Sequence, residues 1–204
     1  MGLRAFFYDL RTTRRLILIA AFFFCASIVV GWLSTGVIQS MLARQMEGLG
    51  GVAQRLQNSE HPQWSFFVFI FFNNAIKCVL VIYTGALFGI VPFIFLIVNG
   101  MVLGFVVHLQ TDMGRSMYEI VVKGLLPHGV IELPVLIIAC AFGLKFGVNI
   151  ISTLGTSIGL KRKGTGPSWE VFLKQTLTVS IWSVIFLFIA AAIESGITYR
   201  LLSH

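Results

Sequence analysis

Charge is scarce in this chain. Only 11% of its 204 residues are Asp, Glu, Lys or Arg, against about 25% in a soluble globular domain. Hydrophobic residues make up 57%, Phe alone occurs 19 times, and the mean hydropathy is +0.90. This excludes an ordinary soluble domain and leaves no room for a second one of usual size. Cysteine is nearly absent as well. Cys25, Cys78 and Cys140 stand within apolar runs without a CxxC spacing, so they read as small buried apolar residues, not as disulfides or metal ligands. The chain also lacks HExxH, GxSxG, a Walker loop and a dinucleotide fingerprint, and no serine has a convincing histidine base. The expectation is a protein that is not an enzyme and has neither metal nor cofactor. A net charge of +7 would suggest a nucleic-acid partner in a soluble protein. Most Lys and Arg lie outside the apolar runs here, so membrane topology and anionic lipid explain the charge, and no nucleic acid is expected.

What is present is a series of apolar runs. A bilayer-crossing helix needs about 20 such residues. The sequence predicts an all-α polytopic transmembrane helix bundle with five spans, at about 16–38, 64–86, 90–110, 129–149 and 177–198. These form a single transmembrane domain over 16–198, between a basic arm at 1–15 and a tail at 199–204. The first run is too long, and too bulky at Trp32, Val37 and Ile38, for a cleaved signal peptide. Charge is absent from Cys78 to Thr111, and a single helix of that length would measure about 50 Å, so a break is expected at Gly85, Gly89 and Pro92. The same argument over 117–151 puts a break at Pro127-His128-Gly129, with a broken or re-entrant helix ahead of the fourth span. Between spans one and two, Met41, Leu42, Met46, Leu49, Val52 and Leu56 recur at helical spacing. They predict an interfacial helix interrupted at Gly48, Gly50 and Gly51. His61, at the end of that loop, is expected to be solvated.

Lys and Arg number four in the arm, two each in the loops at 39–63 and 111–123, four in the loop at 152–174 and one in the tail. Across five spans both heavy flanks fall on one side, which places the N-terminus in the cytoplasm and the C-terminus outside.

Polar residues at bilayer depth are the functional candidates, because a charge there costs about 2.5–3.5 kcal/mol on insertion scales. The set is Asn73, Asn74 and Lys77 in span two, Asn99 in span three, and His128 and Glu132 in span four. His128 and Glu132 stand one helical turn apart and share a face. They read as a hydrogen-bonded latch or as the lining of a polar cavity, with Lys77 as the nearest cation for Glu132. His108 is a further histidine, at the end of span three, with nothing to specify its approach. Lys145 is expected to snorkel to the interface and Glu194 to reach it. Gly85 and Gly89, Gly100 and Gly104, Gly143 and Gly147, and Gly155 and Gly159 make four GxxxG patterns. Small residues at this spacing let helix backbones approach, either within one subunit or across a dimer seam. Gly129 joins them as a helix-packing position.

Asn73-Asn74, Gly85-x-x-x-Gly89 with Pro92, Asn99-Gly100-x-x-x-Gly104 and Pro127-His128-Gly129-x-x-Glu132-x-Pro134, leading to Gly143-x-x-x-Gly147, together resemble the stage II sporulation protein M family. The likeness covers about 65–150. It implies a five-span protein of the bacterial cytoplasmic membrane that acts in engulfment of the forespore. Such a protein serves as a scaffold anchoring a lytic transglycosylase and an amidase, both peptidoglycan-degrading. The residues it marks are Asn73, Asn74, Asn99, Gly100, His128, Gly129 and Glu132. The other reading is a transporter or channel, dimeric in one form, whose pathway is lined by Asn73, Lys77, Asn99, His128 and Glu132.

Overall fold

A computed structural model describes residues 2–34, 36–116, 118–120, 126–158 and 168–202. The side chains of Val37, Gln45, Met46, Leu49, residues 126–128 and residues 196–202 lie outside that description. The described residues form six α-helices: α1 (Leu3–Trp32), α2 (Gly36–Gln57), α3 (Pro62–Thr84), α4 (Ile90–Asp112), α5 (Leu126–Ser157) and α6 (Trp169–Leu202). All but α2 are long and apolar enough to cross a membrane. The architecture is thus the expected all-helical one with five candidate spans.

The helices overrun the predicted spans because hydropathy marks the membrane and not the end of a helix. Helix α1 starts at Leu3, so the basic arm is helical. Helix α2 continues through Gly48, Gly50 and Gly51, correcting the expected interruption. Each glycine costs a helix only about 1 kcal/mol relative to alanine, too little to end one. Helix α5 begins at Leu126, one residue ahead of Pro127, and carries Pro134 inside it. Residues 121–125, on which the expected broken or re-entrant helix ahead of it falls, lie outside the description. The break between α3 and α4 is present: Gly85 to Gly89 form the turn, with Gly89 at φ +76°.

Backbone-to-backbone approach builds the bundle. Helices α1 and α4 run side by side in parallel. A Cβ on Gly31 would strike the Met101 backbone, one on Gly100 would strike Ser27 and the Phe24 carbonyl, and one on Gly104 the Ile28 carbonyl. The α3–α4 turn docks on α5 in the same way, through Gly85 against Gly143 and Gly89 against Gly147. Pro92 and the Val81 carbonyl close over Gly143. Five of the paired GxxxG glycines are therefore occupied by backbone or rigid ring atoms of their own chain, and Gly89 forms the turn on α5. That rules against these surfaces as a dimer seam. Gly129 differs, meeting only the flexible end of Leu133, and Gly159 lies outside the description.

The core centres on Phe142, Ile82, Leu96, Leu187 and Val179, all fully buried. Phe22, Leu18, Ile76 and Leu80 face outward, as lipid-facing residues do. Cys78 and Cys140 are buried, whereas Cys25 is exposed. Buried hydroxyls on α6 bond back to their own helix, Thr176 to the Phe172 carbonyl and Ser180 to the Thr176 carbonyl, both at 2.9 Å. A helix can thereby keep Ser and Thr in an apolar interior without an orphaned donor.

Candidate functional site

Helices α3 and α5 run parallel, and α6 runs antiparallel to both. This brings one polar group together near the start of α5. Asn74 Nδ2 donates to Glu132 Oε1 at 2.7 Å, and Asn73 Nδ2 donates to Asn74 Oδ1 at 3.3 Å. The carboxyl group of Glu194, on α6, faces that of Glu132. The arrangement is an amide-to-carboxyl chain linking α3, α5 and α6, half-buried at each member.

The predicted cluster is only partly assembled. Asn73, Asn74 and Glu132 meet. Lys77 does not: it stands exposed on α3, and Asn74 takes the place it was expected to fill. Asn99 is separate, its Nδ2 donating at 2.7 Å to the carbonyl of Phe95 one turn back on α4. The His128 side chain lies outside the description. His108 pairs at 3.3 Å with Asp112 and lies beside the Trp32 ring. Glu194, expected to reach the interface, turns to Glu132 instead.

A second polar group sits 13 residues further along α5, about 20 Å away at helical rise. Lys145 Nζ donates to Thr13 Oγ1 at 3.0 Å and to Gln175 Oε1 at 2.8 Å. Gln175 and Lys145 also face the buried carboxyl group of Asp9. The ammonium lies over the rings of Phe142 and Phe172 at 5.4 and 5.7 Å. Lys145 therefore ties α1, α5 and α6 together and does not snorkel. Asp9 and Gln175 were missed in the sequence because neither stands within a predicted span.

Comparison with known proteins decides the family. The family model described as stage II sporulation protein M matches residues 20–199. The chain belongs to that family. The match extends well beyond the 65–150 region that carried the resemblance, to the first and last spans of this stage II sporulation protein M homologue. Two uncharacterized proteins of Methanocaldococcus jannaschii are similar to it. One, MJ0706, is 29% identical over 129 residues, covering 63% of this chain and 54% of that protein. The other, MJ0793, is 27% identical over 133 residues, covering 65% of this chain and 71% of that protein. The chain thus spans about half the length of the first relative. No solved structure matches this family member.

Proposed function

We propose that this stage II sporulation protein M homologue is a non-enzymatic scaffold of the cytoplasmic membrane. In this reading its N-terminus is cytoplasmic, its C-terminus is outside, and it anchors peptidoglycan-degrading partners of the lytic transglycosylase and amidase classes. Family membership supports it, and so does one observation above all. Helix α2 is a 22-residue amphipathic helix that the bundle leaves largely uncovered. Leu42 is its buried anchor, while Arg44, Glu47, Gln54 and Arg55 are exposed. A long helix held at few points and displaying both charges is suited to receiving a partner, and positive-inside counting puts it on the wall side.

The Asn74–Glu132–Glu194 contact favours a second reading, a transporter or channel that uses carboxyl groups at depth. One experiment separates the two. The protein is co-expressed with a transglycosylase and an amidase of its host, and complex formation is measured by co-purification. Replacing 36–57 with a Gly/Ser linker of equal length is expected to abolish the complex, while Glu132→Gln leaves it intact. The transporter reading requires that Glu132→Gln abolish a solute or proton flux that the linker variant retains.

A further inference from the structure

Where α3 begins, a cleft of about 650 Å³ opens between its first turns and the later part of α6. Its floor is aromatic and rigid. Trp64 stacks on Phe67 at 5.4 Å, and Phe188 of α6 meets Phe67 edge-on at 5.3 Å. Phe71 braces both rings from behind. The rim is polar, formed by Glu60, His61 and Gln63, with Ser195 on the opposite wall. The rim is also held in place. Ser59 Oγ bonds the Leu56 carbonyl and Ser65 Oγ, and the Ser65 amide donates to the His61 carbonyl.

The cleft straddles the boundary at which the chain turns from polar to apolar. Glu60 and His61 immediately precede a helix long and apolar enough to cross the membrane, and Trp64 is the interfacial type of residue. Its size lies within the about 300–1,000 Å³ of single-molecule sites, and the molecules that surround such a site are lipids. The lining decides which lipid. Among the described residues it holds one carboxylate, Glu60, and no Lys or Arg. An anionic headgroup without an amine would therefore meet the Glu60 charge with no cation among the described lining residues to offset it. A primary ammonium would donate hydrogen bonds to Glu60, as a quaternary one cannot, while the His61 ring and the Gln63 amide donate to an adjacent phosphate. Helix α3 has no side-chain cap at His61, so the free amides of its first turn offer further donors to a phosphate at that end.

We infer that this cleft is a phospholipid site selective for a zwitterionic headgroup bearing a primary ammonium. The acyl chains lie on Trp64, Phe67 and Phe188, and the ammonium is held by Glu60. The site is independent of the scaffold reading, since either can fail alone.

The test uses the full chain in nanodiscs, with Trp32, Trp169 and Trp182 replaced by Phe so that Trp64 reports alone. Brominated phosphatidylethanolamine, phosphatidylcholine and phosphatidylglycerol of matched chains are each added as a minor component to ordinary phosphatidylcholine. Brominated phosphatidylethanolamine is expected to be preferred at Trp64 by about threefold over the other two, the size an exposed charge pair supplies. Glu60→Gln should reduce that preference to parity, and Ala192→Phe, which fills the cleft, should reduce quenching by all three. Equal quenching by the three lipids, or preference for phosphatidylglycerol, overturns the inference. So does weak quenching by every lipid, the result if a protein segment occupies the cleft. If the triple Trp variant does not fold, native mass spectrometry of the unsubstituted protein in an equimolar mixture reads the same preference, again compared with Glu60→Gln.

Discussion

A single amide does what a lysine was expected to do at Glu132. Asn74 and Lys77 stand three residues apart on α3, about 60° around the helix axis at 3.6 residues per turn. That rotation, set by packing across three helices, decides which of them faces α5 and which faces outward. Nothing local in the sequence encodes it. Glu194 was hidden for a related reason: 62 positions separate it from Glu132, and only the antiparallel pairing of α5 and α6 brings the two together. Replacing Asn74 with Leu leaves Glu132 without its amide donor and is expected to destabilise the protein by about 1–3 kcal/mol, the usual cost of an orphaned buried polar group. Thermal unfolding in detergent measures it, and Lys77→Leu in the same assay should change little. Lys145 permits a sharper test. Lys145→Met removes the donor to Thr13 and Gln175 and leaves Asp9 facing no cation, an expected loss of about 1.5–3 kcal/mol. Combining it with Asp9→Asn should cost less than the two changes summed, and a double-mutant cycle reads that coupling directly.

Elements were more legible than their partners. Length and hydropathy were enough to count the spans, because the bilayer demands an uninterrupted apolar run and little else produces one. The turn at Gly85 to Gly89 was legible for the same reason, since an unbroken helix would have been too long. The reading failed where it used glycine alone as a helix terminator, at Gly48 to Gly51. A glycine does different work in different elements, and this has a measurable consequence. At Gly100 and Gly104 an added methyl meets the backbone of α1, which cannot move aside. Gly104→Ala is expected to cost about 1–3 kcal/mol, the usual range for overpacking. At Gly48 and Gly50 the added methyl meets nothing within 4 Å. Alanine there should stabilise α2 by about 0.8–1.0 kcal/mol per site. Circular dichroism and thermal unfolding of the two classes of variant should therefore move in opposite directions.

Taken whole, the molecule couples a closely packed bundle to one loosely held helix. The α1–α4 seam and the docking of the α3–α4 turn on α5 place backbone against backbone. Two polar groups, at Glu132 and at Lys145, then pin α5 to its neighbours at separate heights. Alternating access needs one part of a bundle to rock against another, and these contacts connect the parts that would have to separate. Helix α2 is less covered among its described residues: Leu42 is buried, Val52 and Leu56 are half-buried, and most of the other described side chains are open. Opening free energies within one protein run from near zero to the global value, and uncovered elements lie at the low end. Amide hydrogen exchange in nanodiscs should therefore separate the chain into two classes, with α2 exchanging far faster than the α1–α4 seam. Binding of a wall-degrading partner should slow α2 and leave the seam unchanged. Slowing at the seam, or fast exchange across α5 and α6 on addition of a solute, would point to a bundle that moves as transporters do, and the scaffold reading would then give way.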